Sequence, residues 1–121
     1  MTVQGEQIRR QVMGDEYVNR AQNGADEFTQ PMQDFINQHG WGATWHRTEL
    51  DLKTRSLITI AMLAAIKAPT ELTGHIHGAI RNGASKSEIQ EVLLHSAVYC
   101  GAPAAQTAFR AAQSYFDSIE I

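Results

Sequence analysis

Residues 71–83 read ELTGHIHGAIRNG, and the organisation of the whole chain can be worked out from this segment. Its apolar residues recur at helical spacing and Gly83 follows as a terminating glycine, which predicts one α-helix. Glu71 and His75 are four residues apart, so about 40° of rotation around the helix axis separates their side chains. Glu71 could therefore hydrogen-bond His75, fix its tautomer and raise its basicity.

A second stripe of this helix is apolar and lies roughly a quarter-turn from the Glu71–His75 pair. It comprises Leu72, Ile76, Ala79 and Ile80. This stripe would hold the helix in the core while the polar stripe, extended by Gly78 and Asn82, faces a cleft. The pair is thus a candidate acid/base site, although exposed Glu–His pairs at this spacing also occur as plain surface stabilisers.

Further segments with helical periodicity surround this helix, and no segment has convincing strand alternation. They predict helices at about 8–23 (interrupted by Gly14), 31–39, 52–68, 70–82, 85–100 and 104–119. The sequence therefore predicts an all-α fold, a single-domain bundle of about five to six helices over residues 1–121.

Several helix ends carry local signals. Ser85 and Glu88 form the pattern of a capping box, which begins the helix that follows. Gly40 is expected to end the 31–39 helix, and the glycine-rich, aromatic segment 41–47 is expected to be an ordered loop. The 52–68 helix is apolar all round in its second half, which predicts a central position.

Composition limits the classes of partner. A formal net charge of -3 gives no electrostatic reason to bind nucleic acid or an anionic membrane. The longest apolar stretch, residues 57–66, is about half of the roughly 20 residues that a membrane span needs. The one cysteine, Cys100, excludes an internal disulfide, and the N-terminus lacks the apolar core of a signal peptide. We expect a soluble cytoplasmic protein.

The remaining histidines and the cysteine favour structural roles. His77 projects well away from His75 on a helix, so the two cannot chelate one ion, and no metal site is predicted. Cys100 lies on an apolar face, where a small core residue is expected rather than a nucleophile. His95 and Tyr99 could line a cleft or a solvated face.

Two arginines and two tryptophans are candidates for substrate binding. Arg47 and Arg55 lie near the aromatic segment and the start of the 52–68 helix, and a buried arginine needs a carboxylate from protein or ligand. Either could bind an acidic substrate. Trp41 and Trp45 could cover a pocket or plug a loop against the core.

Taken together, several motifs resemble the carboxymuconolactone decarboxylase family. They are RRxVMGD at 9–15, WGxxW at 41–45, TRSLITIAML at 54–63, ELxxH at 71–75 with Asn82-Gly83, EIxEV at 88–92 and YCGxPAA at 99–105. The resemblance covers nearly the whole chain. It implies an all-helical, alkylhydroperoxidase D-like protomer that assembles into homo-oligomers, trimers or hexamers.

The redox branch of this superfamily carries Cys-x-x-Cys-x-x-x-His, where this chain has Ala68, Glu71 and His75. Without two thiols no disulfide relay can operate, so hydroperoxide reduction is disfavoured. The resemblance instead implies decarboxylation of 4-carboxymuconolactone, a small anionic lactone, to 3-oxoadipate enol-lactone and CO2 in aromatic-acid catabolism. No cofactor is expected, because the substrate's own lactone accepts the electrons.

Within that reaction, His75 would act as proton donor or oxyanion partner and Glu71 would orient it. Arg55 or Arg47 would position the substrate carboxylates, Asn82 would also bind the substrate, and the tryptophans would exclude water. Three alternatives stay open: another lactone or β-keto acid as substrate, a hydroperoxide-reducing protein, or a non-catalytic oligomeric binding module.

Overall fold

The computed structural model describes residues 3–119, which contain seven α-helices, one π-helix and no strand. The α-helices are α1 (Val3–Met13), α2 (Asp15–Asn23), α3 (Gln30–Phe35), α4 (Leu52–Ala65), α5 (Pro69–Arg81), α6 (Lys86–Cys100) and α7 (Ala102–Ser118). The π-helix spans Ile36–Trp45. The predicted all-α fold is confirmed. Within residues 3–119, none of the helices combines the length and the apolar character that crossing a bilayer would demand.

The chain forms two compact units, and the boundary falls between Leu52 and Lys53. The N-terminal unit packs α1 along the π-helix around a small core of Val12, Met13, Val18 and Trp41. Gly14 has φ 91°, a backbone conformation that L side chains rarely adopt, and it separates α1 from α2. The predicted interruption at Gly14 is therefore confirmed, but helix formation begins at Val3 rather than near Ile8.

The prediction of a loop over residues 41–47 was wrong. The π-helix continues through Gly40 and Gly42 to Trp45, so Gly40 does not end a helix at His39. The physical reason is that a glycine ends a helix by adopting positive φ, as Gly14 and Gly83 do, and Gly40 does not adopt it. Trp41 is buried against α1, and this burial stabilises the helical conformation of the segment.

The C-terminal unit packs α5, α6 and α7 around a continuous apolar core. Its fully or nearly buried residues are Ile60, Ala64, Leu72, Ile76, Ala79, Ala84, Ile89, Leu93, Ala108, Ala112 and Phe116. Ala108 and Ala112 of α7 belong to this core, and their small side chains let neighbouring helices approach closely.

The helix ends of this unit follow the local signals in the sequence. At the end of α5, Ala84 N–H donates to Ala79 O (2.9 Å) and Gly83 N–H to Ile80 O (3.1 Å), which is a Schellman motif. At the start of α6, Ser85 Oγ accepts from the Glu88 N–H (3.0 Å) while a Glu88 carboxylate oxygen accepts from the Ser85 N–H (2.9 Å). The predicted glycine cap and capping box are both confirmed.

The expectation that the 52–68 helix is central was wrong for the single chain. Helix α4 ends at Ala65 and buries one narrow stripe of Ser56, Ile60 and Ala64. Met62 is 62% exposed, and Ile66, just beyond the helix, is 70% exposed. An apolar helix therefore presents much of its surface outside the core of this chain.

Candidate functional site

Helix α5 carries Glu71 and His75 on successive turns, as predicted from their spacing. Pro69 begins the helix, and Leu72 and Ile76 anchor it in the core of the C-terminal unit. Glu71 is exposed in the first helical turn, where a carboxylate interacts favourably with the helix dipole. His75 is half-buried, and its Nδ1 atom is inaccessible to solvent. The imidazole is therefore partly shielded from water while the carboxylate is not.

Asn82 closes the same helix. Its side-chain Nδ2 donates a hydrogen bond of 2.6 Å to the backbone oxygen of Gly78, one turn earlier. The amide thus helps to fix the end of α5, and its predicted role in substrate binding would have to use its remaining hydrogen-bonding capacity.

His77 turns to the neighbouring helix α7. Its Nδ1 lies 2.8 Å from the hydroxyl oxygen of Tyr115, and the two rings meet edge to face with centroids 5.9 Å apart. Burial raises the pKa of the Tyr115 hydroxyl above its usual value. This contact gives His77 a structural role between α5 and α7. Within residues 3–119, no group of three or more His, Cys, Asp or Glu side chains could hold a metal ion.

Arg55 lies near the start of α4, half-buried, with its Nε inaccessible to solvent. The hydroxyl of Thr59, one turn later on α4, donates a hydrogen bond of 2.8 Å to the backbone oxygen of Arg55. Lys53, two residues earlier, forms a 2.8 Å ion pair with Glu88 on α6. The start of α4 is therefore held to the start of α6, and Arg55 lies on a well-positioned turn.

Two cavities of the C-terminal unit lie beside other residues. One of about 440 Å³ lies between α6 and α7 and includes Lys86, Leu93 and Phe116. The other, about 600 Å³, lies between α4 and α6 and includes His95. Neither of these two cavities is lined by Glu71 or His75, so the shared hollow expected for that pair stays a prediction.

The N-terminal unit brings three other candidates together. The rings of Trp41 and Trp45 are 4.9 Å apart at 34°, with Trp41 buried in the core and Trp45 half-buried. Trp45 and the exposed Arg47 both line a cavity of about 410 Å³. Trp41 is thus a core residue, while Trp45 and Arg47 lie where a small molecule could contact them.

The same unit buries two polar side chains that the sequence analysis did not single out. Arg9 on α1 is 6% exposed, and Asn37 on the π-helix is fully buried. A signal for Arg9 was present, since it recurs at helical spacing with Gly5, Val12 and Met13, the other buried residues of α1. Such a pattern places a guanidinium on an apolar helix face.

The fold and these residues define a small all-helical protein, and comparison with known proteins identifies its family. The chain matches the model of the carboxymuconolactone decarboxylase family over residues 30–114. It belongs to this family.

Two relatives are named for an activity. The chain is similar to 4-carboxymuconolactone decarboxylase of Acinetobacter baylyi, with 38% identity over 118 residues, 98% of this chain and 88% of the relative. It is also similar to nitrosuccinic acid decarboxylase npaB of Metarhizium robertsii, with 46% identity over 100 residues, 83% of this chain and 70% of the relative. Both names support a decarboxylase.

Proposed function

We propose that this protein decarboxylates a small organic acid that carries its own electron acceptor, and that 4-carboxymuconolactone is that acid. The observation that carries this proposal is the similarity to 4-carboxymuconolactone decarboxylase over 98% of the chain. The second candidate is nitrosuccinic acid, favoured by the 46% identity to the fungal enzyme.

The two acids share one chemical property. In the lactone, the electrons left when CO2 departs flow through the ring double bond to the lactone carbonyl and give a dienolate. In nitrosuccinic acid the nitro group beside the leaving carboxylate accepts them and gives a nitronate. In both reactions a carbon–carboxylate bond breaks, CO2 leaves, and the anion is protonated on carbon. The protein has to stabilise the developing negative charge and to supply one proton.

His75 is the residue that we assign to these two tasks. An imidazole can supply a proton and donate a hydrogen bond to a developing oxyanion, and that of His75 is half-buried. Glu71, one turn earlier on α5, would orient the ring and stabilise its charged form. Because Glu71 is exposed in the single chain, its contribution is expected to be smaller than that of His75.

Arginine side chains would bind the carboxylates of the substrate. Arg55 is the first candidate, because it is half-buried at a fixed turn of α4, and Asn82 could add a hydrogen bond. Arg47 and Trp45, which line one cavity, keep their predicted role in substrate binding, and Trp41 would act from the core through its contact with the Trp45 ring. Substitution of each by a neutral or smaller residue should raise KM more than it lowers kcat if the role is binding.

We also propose that the protein forms homo-oligomers, trimers or hexamers, through the outer face of α4 and α6. On α6, Val98 is 77% exposed and Tyr99 is 81% exposed. The cavity between α4 and α6 is lined by two further exposed apolar residues, Ile58 on α4 (39% exposed) and Leu94 on α6 (49% exposed). Soluble monomers rarely expose contiguous apolar patches of this kind, whereas subunit interfaces bury them.

The test of the activity is CO2 release from purified protein supplied separately with 4-carboxymuconolactone and with nitrosuccinate. We expect turnover of at least one acid at micromolar protein and without added cofactor. His75→Gln should lower kcat by about a hundredfold or more. His39→Gln is the matched control, since His39 is an exposed histidine whose ring lies tilted against that of Phe35.

The two substrates give separate outcomes. If the protein turns over nitrosuccinate and not 4-carboxymuconolactone, nitrosuccinate replaces the lactone as the proposed substrate. No CO2 from either acid would overturn the proposed activity, and unchanged turnover in His75→Gln would remove His75 from the mechanism.

A further inference from the structure

Arg9 is a buried cation without a carboxylate partner among residues 3–119. Its side chain donates one hydrogen bond, from Nη1 to the amide oxygen Oε1 of Gln33 (3.0 Å), and its buried Nε has no hydrogen-bond acceptor in that part of the chain. Burial lowers the pKa of the Arg9 guanidinium, which reflects the cost of removing the charge from water. Buried charges in proteins are normally paired, so this arrangement is unusual.

The next residue along the chain shows the usual arrangement. Arg10, also on α1, forms ion pairs with Glu6 (3.1 Å) and with Asp15 (3.2 Å) near the surface. These two acidic residues are therefore engaged by Arg10 rather than by Arg9. Of these two arginines, the more deeply buried one is the one without a carboxylate partner among residues 3–119.

Asn37 lies on the helix face that contacts α1. It follows Gln33 by four residues and precedes Trp41 by four, and Trp41 packs against Val12 in the core of this unit. Asn37 is fully buried, and neither its Oδ1 nor its Nδ2 has a hydrogen-bond partner among the described residues. Because Gln33 contacts Arg9 and Trp41 clusters with Val12, Asn37 is expected to face α1 between the levels of Arg9 and Val12.

Two buried polar side chains with unused hydrogen-bond donors lower the stability of a small protein. Leaving a buried donor without an acceptor costs the desolvation energy of that group, and the cost is greater for a charged group. The guanidinium offers parallel N–H donors in a planar fork, the geometry that matches a carboxylate, and the Asn37 amide offers one more.

We propose that Arg9 and Asn37 bind a carboxylate group of a small organic acid. The guanidinium supplies charge and a two-point hydrogen bond, and the amide supplies a third donor. The acid is either the one that the protein decarboxylates, in which case the inference rests on the proposed function, or a second acid that does not react. Both sources present the same group to Arg9.

The first measurement is binding of succinate, a dicarboxylate with no electron acceptor that would let it react. We expect titration at constant ionic strength to shift the side-chain Nε–H resonance of Arg9 in nitrogen–proton NMR spectra and to raise the melting temperature. Dimethyl succinate, which lacks the charge, should do neither. A resonance that succinate leaves in place would overturn the proposal.

Two variants separate binding from structure. Arg9→Met and Asn37→Leu keep the side-chain size but remove the polar groups, so each should weaken succinate binding at least tenfold while thermal stability is retained or increased. Arg10→Met is the matched control and should bind succinate as the unmodified protein does. Arg9→Lys keeps the charge but lacks the planar fork of donors, so this variant should bind succinate with intermediate affinity. It replaces Arg9→Met in the experiment if Arg9→Met does not fold.

Other outcomes count against the proposal. If Arg9→Met lowers stability and leaves succinate affinity unchanged, Arg9 is a structural residue. If Arg9→Met dissociates an assembly without changing succinate affinity, the carboxylate belongs to another copy of the chain.

The source of the carboxylate is then decided by kinetics. If Arg9 binds the reacting acid, Arg9→Met should raise KM at least tenfold with a smaller change in kcat, and succinate should inhibit competitively. If Arg9 binds a second acid, KM stays the same and succinate binds without competing. The succinate measurement needs no turnover, so it stands even if the proposed activity fails.

Discussion

The two units of this protein differ in the polar side chains that they bury. The N-terminal unit buries a charged side chain, Arg9, and an amide side chain, Asn37. In the described part of the C-terminal unit, the buried polar residues are the small hydroxyl residues Ser56 and Ser96, and on α6 this unit exposes the large residues Val98 and Tyr99. A buried charge and an exposed apolar side chain each cost free energy unless something else contacts them.

The difference shows that each unit is suited to a different kind of partner. A buried guanidinium and amide match a small anion, since a protein surface is too large to enter between two packed helices. An exposed apolar face matches another protein surface, since a small acid would gain little from it. The stability of the fold should therefore come mainly from the C-terminal core. Recognition of small acids should come from polar side chains such as Arg9 and Asn37.

The largest expected effect is on the C-terminal core. Ile76→Ala should lower the free energy of unfolding by about 2–5 kcal/mol, because Ile76 is fully buried and the change leaves a cavity. Ile66→Ala is the control and should change it by less than about 0.5 kcal/mol, since Ile66 is 70% exposed. Urea unfolding measures both at a protein concentration that keeps the assembly state constant. Equal losses would mean that Ile66 is buried as deeply as Ile76 in the folded particle.

The next effect concerns the apolar face. Val98→Asp places a charge on the exposed surface of α6 and should raise the concentration for half-dissociation of the oligomer at least tenfold, about 1.4 kcal/mol. Ser114→Asp on α7 adds the same charge at an exposed polar position and should leave assembly unchanged. Light scattering coupled to gel filtration measures the mass. Monomers in the unmodified protein, or an unchanged mass in Val98→Asp, would argue against the α4–α6 interface.

The backbone conformations of the two units can be compared by replacing one glycine in each unit with alanine. Gly83 has φ 95° at the end of α5, so Gly83→Ala should cost about 1 kcal/mol of stability. Gly40 lies inside the π-helix, and a Cβ there would meet only Ile36 Cγ2 at 4.0 Å. Gly40→Ala should therefore be neutral or stabilise by about 0.4–1 kcal/mol. Thermal unfolding of both variants gives the signs, and a large loss in Gly40→Ala would contradict the continuous helix.

The smallest effect is the response to acid. Hydrogen bonds from Gln22 and Arg10 lower the pKa of Glu6 in the N-terminal unit, and those from Lys53 and Ser85 lower the pKa of Glu88 in the other. Each folded-state pKa lies below the unfolded value, so each carboxylate stabilises the fold above the ordinary glutamate pKa of about 4.3.

That contribution is lost as the pH falls through the lowered pKa. Glu6→Gln and Glu88→Gln should each flatten the fall in urea midpoint between neutral and acidic pH, and the double variant should flatten it further. An unchanged slope in both single variants would mean that other carboxylates govern acid unfolding.

The C-terminal unit was the more predictable of the two because its helix ends depend on neighbouring residues. Ser85 and Glu88 satisfy each other within one turn, and Gly83 closes α5 through its own backbone. The segment around Gly40 could not be predicted in this way. Glycine permits both a helix and a turn, and the choice was made by burial of Trp41 against a helix distant in sequence.

The candidate site shows the same limit. The spacing of Glu71 and His75 placed them correctly on one helix, since that depends only on helix geometry. Their expected shared hollow depends on which surfaces meet, which no spacing encodes. Asn37 was missed for the same reason, because a polar residue is assigned to solvent until a packed neighbour is known. Arg9 differs, because its helical spacing with Val12 and Met13 could have indicated its burial.

The π-helix has a consequence for changes in chain length. Its hydrogen bonds join residues five apart, so each turn accommodates one residue more than an α-helical turn. Deleting a single residue between Gly42 and Trp45 could rewind that turn into α-helix without breaking the helical rod. Gln33, which precedes the deletion, would keep its contact with Arg9, whereas Arg47 beyond it would rotate by about 100° around the axis. Loss or gain of one residue here would therefore move Arg47, which lines the 410 Å³ cavity. The packing of α1 against the π-helix would be kept.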